Sequence, residues 1–224
     1  MTEAEWDACT DPAPMLDTLR GKVSERKWRL LCCACCRRVW RLLRDRRHRA
    51  AVAAAERLAD GGISSEELVP IADASYSASF HRSPYKGGAA HLLVRHFSSY
   101  DDWDETHRCP PLDNTGMATE MVAARSRAKE RSAQAALVRD VFGNPFRAVI
   151  VDPAWPTATV LALAGAAYQE RLLPSGELDL QRLAVLADAL EEGGCDDQEI
   201  LAHCRAAGPH VRGCWLVDAL LGKG

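Results

Sequence analysis

Ser24-Glu25-Arg26-Lys27-Trp28-Arg29-Leu30-Leu31-Cys32-Cys33-Ala34-Cys35-Cys36-Arg37-Arg38-Val39-Trp40-Arg41-Leu42-Leu43 decides the fold of this 224-residue chain. Serine is a residue whose side-chain oxygen accepts from the free amides of a helix's first turn, so Ser24 reads as an N-cap. Behind it Trp28, Cys32, Cys35, Val39 and Leu42 recur at steps of four and three, and Leu31, Cys33, Cys36, Trp40 and Leu43 widen the stripe. That is the 3.6-residue period of a helix with a broad apolar face. The segment is expected to be a long central helix whose sulfur atoms sit dry beside tryptophan and leucine.

Working outward, helical periodicity dominates, and alternating apolar–polar runs rich in β-branched residues are nearly missing. A short helix is expected over Pro14 to Arg20, stopped by Gly21. Ala50 to Ala59 reads as an alanine-rich helix ended by Asp60-Gly61-Gly62, and Ser64 with Glu67 forms a capping box for the next. From His81 to Asn114 the punctuation is irregular, around one helix from Ala89 to Tyr100. Thr115 to Phe142 reads as a long helix closed by Gly143-Asn144-Pro145. After a linker, with Phe146 to Val151 as one short extended piece, helices are expected from Ala158 to Leu172 (Thr157 as cap), Asp179 to Glu191, Asp197 to Arg205 and Val211 to Leu221. The fold class is all-α: a compact multi-helix bundle with a long irregular central segment. Residues 1–142 form an N-terminal helical region containing a variable segment 80–114, 143–156 a linker, and 157–224 a C-terminal helical region, packed together as one unit.

Hydrophobic residues make up 47% of the chain, enough for an ordinary core, and the formal net charge of −3 gives no overall attraction to nucleic acid or anionic membranes. The acidic start, Met1-Thr2-Glu3-Ala4-Glu5-Trp6, leads into no apolar run, and the longest such run, Ala158 to Tyr168, is too short to span a bilayer. The reading is therefore cytoplasmic, without a membrane partner. Nine cysteines, four of them inside one helix, make a poor disulfide framework, so reduced thiols or metal ligands are expected.

Cys195, His203, Cys204, His210 and Cys214 place five zinc-type ligands within twenty residues. Zinc takes four in a tetrahedron, and His210 and Cys214 have the spacing of one helical turn. Against a site, His203 and Cys204 are neighbours that diverge by about 100° on a helix. The competing reading packs Cys195 and Cys204 as small hydrophobes, lets the histidines bond to helix ends, and explains Asp196 with Glu199 as capping. Cys32-Cys33-Ala34-Cys35-Cys36 holds two overlapping Cys-x-x-Cys pairs, but within a helix these read as core.

Charge is the third feature. Between Ser24 and Arg49 ten Lys or Arg stand against Glu25 and Asp45, a local +8. Arg37, Arg38, Arg41, Arg44 and Arg47 could contact phosphates. Pro174 to Glu199 carries −7, so the alternative is that the two segments face each other. No Gly-x-Ser-x-Gly, phosphate loop, dinucleotide fingerprint or His-Glu-x-x-His is present, so no catalytic residue is named. His107 beside Cys109, and His81 with Asp101, Asp102, Asp104 and Glu105, are residues a polar loop collects by default.

Several phrases nonetheless resemble a family of proteins abundant in planctomycete bacteria, many copies to a genome: Ala34-Cys35-Cys36-Arg37-Arg38; Val138-Arg139-Asp140 with Phe142-Gly143-Asn144-Pro145-Phe146-Arg147; Asp152-Pro153-Ala154-Trp155; Gly194-Cys195-Asp196; His203-Cys204-Arg205; and Gly208-Pro209-His210-Val211-Arg212-Gly213-Cys214-Trp215. The resemblance covers roughly residues 1–60 and 135–224 and implies no known reaction. It implies a scaffold with a variable centre, which suits binding. The leading expectation is thus a non-catalytic helical interaction module for a protein partner. A structural zinc protein, with zinc as the only cofactor considered, and nucleic-acid binding through the basic helix are the alternatives.

Overall fold

The computed structural model describes residues 1–82, 126–147 and 149–224, and among them ten helices and no sheet form a compact all-α bundle. The expected irregular segment 80–114, with its helix Ala89 to Tyr100 and both histidine pairings that a polar loop collects by default, falls essentially outside the described residues. So does the first part of the helix expected from Thr115.

Local chemistry sets most boundaries. Thr2 and Glu5 exchange backbone bonds in a capping box that opens α1 (Glu3–Ala8), a helix the sequence reading did not mark. Asp11 caps α2 (Pro12–Leu19), two residues earlier than expected. Ser24 caps α3 (Glu25–Arg38) as its residue type foretold. That helix does not run on to Leu43. Val39 to Arg44 coil into tight turns, with Leu42 N bonded to Val39 O at 2.8 Å, and Leu42 is left exposed. The Arg49 guanidinium takes up the carbonyls of Leu43 and Trp40, groups that a continuing helix would have satisfied internally. Asp45 then caps α4 (Arg46–Ala59), which starts a turn earlier than expected. Ser64 and Glu67 close their box over α5 (Ser65–Arg82).

In the second half α6 (Arg127–Phe142) ends at Gly143, and Thr157 caps α7 (Ala158–Gln169). Asp179 caps α8 (Leu180–Glu192). Asp197 rather than Asp196 caps α9 (Gln198–Arg205), its carboxylate reaching two amides. The last helix, α10 (Trp215–Leu220), begins four residues later than expected, because Val211 pairs as an isolated bridge with Glu177 and Gly213 takes φ 92°. No strand forms over the described part of Phe146 to Val151; the described bridges are Leu172–Glu177 and Glu177–Val211.

Burial explains why α3 is decisive. Every residue from Trp28 to Arg37 is buried, so it is not a helix with one wet face. Cys32, Cys33 and Cys36 pack with Leu43 of the following turn and with Val52, Ala55 and Leu68 of the α4–α5 layer. On the other side Trp28, Leu31, Cys35 and Val39 meet Trp6, Leu16, Val138 and Val141 from α1, α2 and α6. A further cluster joins α7 to α10 through Tyr168, Leu186, Leu190, Ile200 and Val217.

Two glycines bring these layers together. Gly143, at φ 69°, ends α6 against the Trp215 ring, and a Cβ there would lie 3.2 Å from its Cγ. Gly213 sits on Leu30 of α3, where a Cβ would be 2.9 Å from Cδ1. Only a residue without a side chain lets the end of α6, the start of α10 and α3 approach this closely.

Candidate metal centre

Asp140 lies in the last turn of α6, His203 in the last turn of α9, His210 in the following loop, and Cys214 at the N-cap of α10. One potential ligand atom from each falls within 4.8 Å of all the others. The closest approaches are His210 Nδ1 to Asp140 Oδ1 at 2.8 Å, His203 Nε2 to Cys214 Sγ at 3.1 Å, and His203 Nε2 to Asp140 Oδ1 at 3.6 Å. Asp140, His210 and Cys214 are buried; His203 keeps 17% of its side chain exposed.

The ligand atoms are held from behind. Asp140 uses its other oxygen, Oδ2, to accept the Val211 amide at 2.8 Å. His210 Nε2 faces the Ala206 carbonyl at 3.2 Å, and the His203 ring is packed edge-on to His210 and against Trp215. Such outer contacts fix ring orientation in metal sites.

These contacts set where protons sit. His210 has an acceptor at each ring nitrogen, so it either carries two protons or yields Nδ1 to a positive ion. Burial works against its charge, but the Asp140 bond prevails and raises its pKa. Burial lowers His203 to about 4, so that ring is neutral at pH 7. Burial and then the Asp140 carboxylate hold the Cys214 thiol well above its ordinary range, while the Val217 and Leu216 amides favour its thiolate.

Two chemistries could use cysteine, histidine and aspartate together. A nucleophilic triad needs histidine to meet cysteine through one nitrogen and the carboxylate through the other. Here Cys214 and Asp140 both meet His203 at Nε2, and Cys214 is fully buried. Convergence on one point is the arrangement of ligands around an ion. Bonds of about 2.0–2.3 Å to zinc put tetrahedral donors about 3.3–3.8 Å apart, so the closest contacts must open slightly and the widest, within 4.8 Å, draw in to admit one.

Of the sequence candidates, His203, His210 and Cys214 come together, although not through a shared helical turn. Cys195 and Cys204 do not join them; both lie in the core of α7 to α10, as small buried hydrophobes do. Asp140 escaped the sequence reading because a lone aspartate near a helix end carries no ligand spacing.

The basic residues scatter. Arg37 is buried with both Glu56 oxygens and the Pro174 carbonyl, and Arg38 forks onto Glu130. Arg47 folds back on Asp45, while Arg41 and Arg44 are exposed. The pairing is internal, but its ion pairs run to Glu56, Glu130, Asp60 and Asp218, not to the acidic run after Pro174, whose Asp188, Glu191 and Glu199 pair instead with Arg205 and Arg147. No helix among the described residues is long and apolar enough to cross a membrane. Comparison with family models, curated proteins and solved structures finds no match to this chain.

Proposed function

We propose that this chain is a non-catalytic helical module in which a structural transition-metal ion, zinc first, ties the C-terminal helices to α6. The observation that carries it is the shared use of His203 Nε2 by Cys214 and Asp140, with His210 Nδ1 on the same carboxylate oxygen. One thiolate, two imidazoles and one carboxylate are a borderline-soft set that favours zinc, cobalt or copper over magnesium or calcium. Four protein donors in a mostly buried pocket fill a tetrahedron, which is the structural pattern; a catalytic zinc keeps one position for water.

The test is elemental analysis of protein purified without added metal, beside Cys214→Ser, Asp140→Asn and Cys204→Ala. Near-unit zinc in the wild type and Cys204→Ala, lost in the other two, is the expected result; wild-type protein with well under one ion per chain ends the proposal.

The interaction half of this reading rests on the sequence. Residues 80–114 are assigned the partner surface, and deleting them should preserve the thermal transition while abolishing partner capture. Arg37 and Arg38, engaged with Glu56 and Glu130, speak for a protein partner over nucleic acid.

A further inference from the structure

The seam between α3–α4 and the C-terminal helices holds more positive charge than its carboxylates balance. Glu56 accepts from Arg37 and from both terminal nitrogens of Arg171. Asp60 meets Arg26, Arg212 and Lys223, and Asp218 meets Arg26 and Lys27. Six cationic side chains thus meet three carboxylates, and none of the nine is more than 32% exposed. Lys27 is further neutralised by the carbonyls of Val141 and Gly213, and Arg212 by the Tyr168 ring. Charge held away from water without a counter-charge is costly.

A small cavity lies within this seam. Leu30, Ala34 and Val211 form its apolar wall; Arg37, Arg171, Arg212 and Glu56 supply its charge. Its volume is about 10 Å³, room for one particle of about water size. Arg212 Nε is buried and has no hydrogen-bond acceptor among the described residues. Gly176, at φ 78°, presses its backbone so near Arg37 that a Cβ would be 2.2 Å from Cδ, which closes the chamber on that side. The one carboxylate present, Glu56, is already forked by two guanidinium groups and does not dominate the field there.

We propose that this chamber binds a single halide-sized inorganic anion, chloride by preference, with Arg212 Nε as its buried donor and Arg37 and Arg171 as its charge partners. The anion supplies the counter-charge that the seam lacks, so its effect is to strengthen the contact of α3 and α4 with the loop after α7. A chloride, somewhat larger than a water molecule, requires the guanidinium walls to give slightly, whereas sulfate requires far more room. A neutral water could satisfy Arg212 Nε but would leave the excess charge as it is.

The experiment uses metal-replete full-length protein. Its melting temperature is followed against sodium chloride, sodium bromide, sodium sulfate and sodium gluconate at constant ionic strength. A saturable rise of roughly 5 °C with chloride and bromide alone, reached at about a hundredfold excess over Kd, is expected. Arg212→Met should lose the halide response while still melting cooperatively, since Asp60 keeps Arg26 and Tyr168. Crystals of the wild type grown in bromide add an independent reading through anomalous scattering at the cavity. Identical curves in all four salts, or an anomalous map without a peak beside Arg212, overturn the proposal in favour of a buried water.

Discussion

Asp140 Oδ1 lies 2.8 Å from Nδ1 of His210, seventy residues further along the chain. This contact joins the end of α6 to the loop before α10, and the same carboxylate receives the Val211 amide. Replacing Asp140 by alanine therefore strips a buried histidine and an amide of their partner at once. Breaking a buried pair of this kind costs about 3–5 kcal/mol, read as a drop in the urea midpoint with unchanged slope. Asp140→Asn, which keeps the Val211 acceptor, should recover part of the stability but not the metal.

Protonation gives the chelated protein a characteristic acid response. His210 has a raised pKa, so its contribution is complete below the unfolded value near 6.5 and fades as pH rises through its folded value. His203 is depressed to about 4, so its contribution is present above about 6.5 and is lost as pH falls from there towards 4. Stability after metal removal should thus fall by about 3 kcal/mol over that lower window. NMR titration of the ring protons checks this directly: the His203 signal is expected to stay in its neutral position at pH 5.5, and an ordinary midpoint near 6.5 would contradict its burial.

Thiol reactivity separates core cysteines from accessible ones. Burial pushes Cys36 up to about 12 and holds Cys33 and Cys35 well above the ordinary thiol range, so none is a thiolate at pH 8. Cys9 is the only one of the eight described cysteines that is not buried. In a Cys109→Ser background, which leaves eight of the nine cysteines, Ellman's reagent should titrate close to one thiol in native protein and the other seven only after denaturation. The informative outcome is the fast phase: two or more rapidly reacting thiols would mean that the α3 sulfurs are wet.

Glu56 lies buried between Arg37 and Arg171 at the α3–α4–α7 contact. These guanidinium groups overcome the effect of burial and lower its pKa, so its contribution is present above the unfolded value near 4.3 and disappears below the folded one. Glu56→Gln should lower stability by about 3 kcal/mol at pH 7, with the deficit shrinking as wild type is acidified. Equal deficits at pH 7 and pH 3 would show that its charge is not what matters.

Helix chemistry was largely legible in the sequence because it is local. Ser24, Ser64 with Glu67 and Thr157 sit beside the amides they cap, and the apolar spacing of Trp28, Cys32 and Cys35 announces a helix whatever lies around it. Less legible was where α3 stops, since that depends on Arg49 reaching back to Leu43 O and Trp40 O.

The site divides along the same line. His203, His210 and Cys214 could be named from ligand chemistry within one short stretch, but nothing in that stretch separates them from Cys195 and Cys204, which the packing of α7 to α10 turns into the core. Asp140 became a neighbour only when Gly143 let α6 end against Trp215, and Arg37 found Glu56 rather than solvent only when α4 covered α3. Sequence alone thus determined most of the helical segments among the described residues, though not α1 or the end of α3, through capping and periodicity that act over a few residues. The tertiary fold decided which ligands converge and which charges are buried, because those depend on side chains brought together across long stretches of chain.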